Sequence, residues 1–451
     1  MSDSLPPDSA QAPLVVGAES AAGDDAPAVV AVVVVRSAEP DLAVTFESLA
    51  QQDYTNLSVL VIDGTSEGLG DRVSEVLPEA FLHRFTGTPG FAAAANRAMD
   101  LVDGGGFFLF CNDRVALDPA CISKLVEELY RSNAGIVTPK YVQWHDPRRL
   151  VAIGMGSDRF GVQVDLVEPG DFDQEQYDAV QDVFVAPEGV QLVRADLFRA
   201  LGGFDESMES VSEDLDFCWR AQVAGARVVA VPDAVARLRL PRPPDENSGD
   251  KGSRKRTEDD RRRLLGRNRL RTLLVTGSRF SLVRVLPLAI ILLLVEAMYS
   301  LIAGRRRQAA DALKAIGSNL GRLGEIRSRR AELSAVRQVS DRDLHALQVG
   351  GSARLSSFFR GQFGVGDRLV GLVASVRHSF TGDGSSSARD ASLVGLVVSI
   401  LMVLGSRALI TDGVTPVGQF LDLPDGGVLL REWSTSWRYS GTCLLYTSPS
   451  P

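Results

Sequence analysis

Much of the chemistry that small secreted or metal-dependent proteins rely on is scarce in this 451-residue chain, which holds four cysteines and four histidines. The cysteines are unclustered, so they offer neither a disulfide framework nor zinc spacing, and they suit a reducing, cytosolic compartment. His83, His145, His345 and His378 share no ligand spacing and no arrangement for Ser–His or Cys–His catalysis. Glycine-rich stretches near 103 (VDGGGFF) and 425 (DGGVLL) form neither a P-loop nor a dinucleotide fingerprint. The first 27 residues lack any basic residue and any long apolar core, which excludes a signal peptide and predicts a disordered tail over 1–27. A net charge of −9 excludes a uniformly basic nucleic-acid binder.

What is present divides into two halves. The chain is 45% hydrophobic, too apolar for a disordered protein. Residues 1–240 carry 17 basic and 38 acidic side chains, a balance of −21, and the remainder carries 31 and 19, a balance of +12. An acidic globular half joined to a basic, apolar half predicts a soluble domain tethered to an anionic membrane surface, with membrane lipids among its partners.

Val29 opens a continuous apolar run, VVAVVVV, as expected of a strand buried on both faces. Leu42, Phe46 and Leu49 carry helical spacing over 41–52, and LSVLVID is a second strand ending at Asp63. A further helix precedes FLHRF at 81–85. GFAAAANRAMDLV reads as a small-residue helix packed closely on a sheet, and FFLFCND as the next strand. Strands alternating with helices predict β-α-β units and a doubly wound α/β sheet. Ligands of such sheets sit at the carboxyl ends of the strands. Arg36-Ser37, Asp63-Gly64 and Asn112-Asp113 end these runs, so chemistry is expected there.

The second half reads differently. Residues 241–263 form a Pro-led, highly charged linker, and LLGRNRLRTLLV after it is a basic amphipathic helix suited to a membrane interface. Residues 264–390 are expected to be a basic, interfacial helical region. Its apolar stretch at 285–303 contains Pro287 and Glu296 and reads as interfacial or re-entrant, whereas 391–406 reads as a transmembrane helix. Between the two, 304–390 holds 15 Arg/Lys against 8 acids, which keeps it on the cytoplasmic side. Residues 407–442 would begin a truncated extracytoplasmic region. The last nine residues, CLLYTSPSP, resemble translated sequencing adapter, so the natural chain is expected to continue beyond about Gly441.

Four segments together carry a family resemblance: VVVVRSAEPDLAVTFESLAQQDYTNLSVLVIDGTSEG, GFAAAANRAMD, FFLFCNDRVALDP and LVRADLFRALGGFDESMESVSEDLDFCWRAQVAGARVVAVPDA. In that order they resemble family 2 glycosyltransferases, particularly large actinobacterial membrane-associated members. The resemblance implies a GT-A domain over 28–240, with a Rossmann-like mixed sheet followed by amphipathic and transmembrane helices. It also implies inverting transfer from a nucleotide-diphosphate sugar, UDP- or dTDP-linked, to a cell-envelope glycan or lipid-linked acceptor. The enzyme would sit at the plasma (inner) membrane with its catalytic domain in the cytoplasm.

The same resemblance assigns candidate residues. Asp63 would bind the nucleobase edge, although an Asp before Gly64 is also a common turn cap. The family's usual Thr-(Tyr/His)-Asn after the first strand is Arg36-Ser37-Ala38 here, which leaves Ser37 as a nucleotide-side candidate. Asp113 matches the retained position of the metal-and-ribose motif. Arg114 stands where the family has the last acid of that motif, and Leu238 where it often has a metal-binding His. A divalent cation is therefore doubtful. Either Arg114 neutralises the diphosphate through bidentate hydrogen bonds, or the domain is catalytically silent and serves as a membrane-bound binding or assembly module. Asp214 corresponds to the catalytic base. Glu213, Asp216, Trp219 and Gly189 fall on the acceptor side, and Arg267-Asn268-Arg269 faces either a lipid-linked diphosphate or headgroups. Ser212 followed by acids also makes a good helix start.

Overall fold

The computed structural model describes residues 14–16, 26–37, 39, 41–65, 68–85, 90–168, 170–209, 211–240, 251–302 and 306–349. The expected transmembrane helix at 391–406, the segment at 407–442 and the terminal nine residues lie outside these.

The main strands and helices follow the apolar runs. They are β1 (Val29–Val35), α1 (Leu42–Ala50), β2 (Leu57–Asp63), α2 (Gly70–Val76), β3 (Phe81–Arg84), α3 (Phe91–Leu101), β4 (Phe107–Asn112), β5 (Val115–Leu117), α4 (Cys121–Arg131), β6 (Ile136–Gln143), β7 (Val190–Arg194), α5 (Ala195–Ala200), α6 (Glu213–Val223) and β8 (Val228–Leu238). With the short strands Leu150–Ala152 and Gln181–Asp182, the eight strands build a mixed ten-stranded sheet whose central order is β8-β6-β7-β4-β1-β2-β3. β4, β1, β2 and β3 are mutually parallel, β7 runs antiparallel between β4 and β6, and β8 is parallel to β6.

Every residue of β1 is at most 1% exposed because the sheet is covered on both faces. Val30, Val32 and Val34 pack into one apolar cluster, while Val29, Ala31, Val33 and Val35 pack into the other. That two-sided burial is why the run is continuous rather than alternating. Four of the five alanines of α3 (Ala92, Ala94, Ala95, Ala98) are buried and let that helix lie close to the sheet.

Two observations depart from the expected domain plan. Leu14–Val16, inside the stretch expected as a disordered tail, is a short strand parallel to Val102–Gly104. The expected linker at 241–263 is helical from Lys251, within α7 (Lys251–Thr276), as its Lys, Arg and Glu content permits. α8 (Arg279–Ile302), α9 (Arg306–Gly321), α10 (Leu323–Val336) and α11 (Asp341–Leu347) follow. Among the described residues, no helix is long and apolar enough to cross a membrane. α8 nevertheless carries a ridge of exposed apolar side chains, including Phe280, Val283, Ile291, Val295 and Met298.

Candidate active site

The carboxyl ends of β1, β2 and β4 bring three of the expected positions to one edge of the sheet. Asp63 closes β2 and is 1% exposed. Its Oδ1 accepts from the Thr65 amide (2.8 Å) and hydroxyl (2.6 Å), and its Oδ2 from the Leu69 amide (3.0 Å). The carboxylate thus shapes its own turn, the alternative that the Asp-Gly pair had left open. Asp113 follows β4, and its Oδ2 accepts from the backbone amides of Arg36 (2.9 Å) and Ser37 (3.2 Å). It therefore fixes the path of the chain leaving β1. Ser37 itself is exposed beside it.

Arg114 turns its guanidinium to Glu188, with Nη2 3.0 Å from Oε1, and Arg36 Nη2 approaches the same oxygen at 3.5 Å. Glu188 precedes Gly189, whose φ of +147 and lack of a side chain are both required: a Cβ there would lie 2.8 Å from the buried Tyr141 ring. The Gly189 carbonyl in turn accepts from the Asn112 amide at 3.0 Å, which locks this loop to the end of β4. Gly189 thus serves close approach of the backbone, and its neighbour Glu188 supplies the side chain.

The second group of carboxylates begins α6. A pocket lined by Phe91, Phe110, Phe204, Glu188, Glu213 and Asp214 lies between this helix and the strand ends. Asp214 Oδ2 accepts from Gln163 Nε2 at 3.0 Å and Oδ1 from the Leu215 amide at 2.7 Å. Lost hydration, with help from the Glu188 charge, pushes Asp214 up to about 6 against those hydrogen bonds. Glu213 is 6% exposed, and burial, then the neighbouring Asp214 charge, pushes it up to about 8. At pH 7 Asp214 is mostly ionised and Glu213 mostly protonated, the division that lets one carboxyl accept a proton beside another that keeps its own. Polar atoms around the pocket are left open. Among the described residues, Gln191 Oε1, Ser212 Oγ and Asn112 Nδ2 are buried without a partner.

Ser212 occupies the position before α6, but at φ +66 its hydroxyl makes no cap bond. The expected side-chain cap is absent because the backbone there is left-handed, a conformation that costs a non-glycine residue roughly 1–3 kcal/mol. The loop bearing it is held from outside. Asn268, fully buried on α7, donates from Nδ2 to the carbonyls of Met208 (2.7 Å) and Val211 (2.6 Å). Arg267 bonds the Ser207 carbonyl and Glu209, and Arg271 forms a buried ion pair with Asp205 at 2.7 Å. The RNRLR motif therefore turns Arg267, Asn268 and, one turn on, Arg271 into the protein to grip the loop before α6, rather than toward headgroups. From the other side, Asn96 of α3 bonds both the amide and the carbonyl of Phe204. Gly203 makes room for it, since a Cβ would sit 2.4 Å from Asn96 Oδ1.

Two acceptor-side expectations are corrected. Asp216 is 1% exposed and paired with Arg220 at 2.7 Å and with the Thr272 hydroxyl, so it joins α6 to α7 instead of facing a substrate. Trp219 is 5% exposed and packs edge-on against Phe184, one helical turn away from the pocket-lining carboxyls. Sequence reasoning does not single out Gln163, Asn96 or Glu188, and it gives Asn268 a membrane-side role instead of its place under the loop before α6. Only the GFAAAANRAMD motif around Asn96 and the RNRLR motif around Asn268 carried a signal for any of them.

The residues present do not fit a divalent cation. Asp113 is engaged by two amides, Arg114 brings a positive charge to the last motif position, and Leu238 pairs with Val115 in the sheet. Among the described residues no three His, Cys, Asp or Glu side chains gather as a metal site.

Residues 30–191 match the family model described as glycosyl transferase family 2, and residues 112–304 match glycosyl transferase family group 2. No curated protein matches the chain. Among solved structures, GalNAc-T7 crystallised with UDP, GalNAc and Mn2+ is 12% identical with a TM-score of 0.42, over 55% of this chain and 49% of that one. TarS 1-349 of S. aureus in complex with UDP-GlcNAc is 14% identical with a TM-score of 0.40, over 56% of this chain and 68% of that one. The longer TarS structure is 13% identical, with a TM-score of 0.38 and 40% of its length covered. The chain thus spans about half the length or less of GalNAc-T7 and the longer TarS.

Proposed function

We propose, on the match of residues 30–191 and 112–304 to glycosyl transferase family 2 models, that the chain is a family 2 glycosyltransferase that transfers a sugar, with inversion, from a nucleoside diphosphate donor to a glycan or lipid-linked acceptor of the cell envelope. The observation that carries this reading is the Asp214 carboxyl, oriented by Gln163 and the Leu215 amide at the pocket and poised at about 6. Its place at the start of α6 faces the strand ends, where the donor binds in sheets of this type.

The chemistry follows from that geometry. The acceptor hydroxyl gives its proton to Asp214 while its oxygen attacks the anomeric carbon. The bond from that carbon to the diphosphate oxygen breaks on the opposite face, and the nucleoside diphosphate departs with the electron pair. Arg114 sits where it can neutralise the growing negative charge through charge-assisted hydrogen bonds. Asp63 and Asp113 shape the two turns between which the nucleotide lies, with Ser37 exposed beside them. The exposed apolar ridge of α8 supports placement of this site at a lipid surface on the cytoplasmic side of the plasma membrane.

Transfer is expected to vanish in Asp214→Asn while UDP affinity, followed by calorimetry, stays within about twofold. Retained turnover in that variant would refute the base assignment. For the membrane reading, the full chain should co-sediment with vesicles containing anionic lipid and lose that property in Phe280→Asp/Met298→Asp.

A further inference from the structure

Arg36 and Arg114 come from the ends of adjacent parallel strands and converge on a single oxygen, Glu188 Oε1, at 3.5 and 3.0 Å. Their backbones are fixed independently of that contact. The Arg36 amide is held by Asp113, the Arg114 amide by Asn112 Oδ1 at 3.0 Å, and the Arg114 carbonyl accepts from the Arg239 amide at 2.9 Å. Neighbouring acids that could balance the pair are committed elsewhere, since Glu39 and Asp41 both pair with Arg239. Each guanidinium offers five N–H donors in a planar fork. One carboxylate oxygen engages one nitrogen from each, which leaves most of both forks for an anion with more oxygens. All three side chains are partly open to solvent, at 29%, 23% and 43% exposure for Arg36, Arg114 and Glu188.

We propose that Arg36 and Arg114 form a two-guanidinium clamp for the diphosphate of the donor, taking the place of a cation, and that the Glu188 carboxylate is the resident anion which the diphosphate displaces. This rests on the donor reading given above. Glu188 also ties the clamp to the base, because it lines the same pocket as Asp214 and its charge raises that carboxyl. Movement of the Glu188 side chain off the arginines on donor binding therefore occurs beside Asp214. Arg36, at a position where the family pattern lacks a basic residue, is thereby a second donor-binding residue. Two fixed guanidiniums suit the bidentate geometry of phosphate oxygens better than one.

The test uses the full chain titrated calorimetrically with UDP, dTDP and inorganic pyrophosphate, in EDTA and again with Mn2+. Wild type is expected to bind at least one nucleotide in EDTA, with little change on adding Mn2+. Arg36→Ala and Arg114→Ala should each weaken binding about tenfold or more, at unchanged melting temperature. Glu188→Gln, which removes the competing charge and keeps the shape, should tighten binding severalfold. Arg36→Lys and Arg114→Lys should recover only part of the loss. Nucleotide binding that none of these substitutions alters, or that requires Mn2+, would overturn the clamp while leaving the donor reading intact. No binding of any of the three probes to wild type, with or without Mn2+, would overturn both.

Discussion

The carboxylates at the strand ends and those at the start of α6 share one chemistry and differ in circumstance. Asp63 and Asp113 meet several backbone amides each and give their hydrogen-bonding capacity to the shape of two turns. Glu213 and Asp214 lie in a pocket floored by phenylalanines, where lost hydration outweighs the few donors that reach them. The difference teaches where to look for reactivity in this fold. An acid whose oxygens are spent on the turn that carries it builds the site, whereas one whose carboxyl opens on a pocket can exchange a proton within it.

Substitutions should separate the two groups. The largest effect is expected at Asp214, where the Asn variant lowers the rate of transfer by about 10²–10⁴-fold, the range for loss of a positioned general base. Its melting temperature should hardly move. Asp63→Ala is expected to do the reverse. It strands the buried Leu69 amide, at a cost of about 1–3 kcal/mol, and the half-buried Thr65 amide at less, visible as an earlier urea midpoint. Arg271→Ala, which takes from buried Asp205 the nearer of its two arginines and leaves Arg329 at 3.7 Å, should destabilise by at most about 3–5 kcal/mol in the same measurement. It should also disturb transfer through the loop before α6.

Glu213 gives a smaller and pH-dependent effect. The folded state holds its proton up to about 8, against an ordinary value of 4.5, so the folded state binds more protons than the unfolded one between those limits. Stability therefore falls as pH rises through that window. Glu213→Gln removes this loss, and the variant should exceed wild type in thermal stability at pH 8 and match it near pH 4. The smallest expected change is in Glu188→Gln. Asp214 is faced by Glu188, Glu213 and Gln163, and removing the Glu188 charge should move the acid limb of the transfer profile slightly to lower pH. An acid limb that moved upward would break the comparison at its most sensitive point.

Sheet and helix positions were legible because local pattern decides them: VVAVVVV can only be buried on both faces, and GFAAAANRAMDLV suits a helix with no room beside it. The SEDLD cluster was legible as a place but not as a set of roles. Asp216 has Arg220 at i+4, a pairing readable from spacing alone, yet that it is buried under Thr272 of α7 depends on a helix 56 residues away. RNRLR read as a membrane-facing surface because its charges looked unpartnered. Their partners are carbonyls and acids of the 205–211 loop, which no spacing rule connects to α7. Gln163 opens a three-residue strand and Glu188 lies in a bend, both too short for periodicity, and their meaning comes from Asp214 and Arg114, 51 and 74 residues distant.

The most direct test of the account is the titration of the Asp214 carboxyl itself, followed by carbon-detected NMR in the full chain, with Asp214→Asn identifying the signal. The account predicts a midpoint of about 6, with a second carboxyl, absent in Glu213→Gln, titrating near 8. A midpoint near 4 for Asp214 would mean that neither lost hydration nor the Glu188 charge raises it, and would contradict its selection as the base.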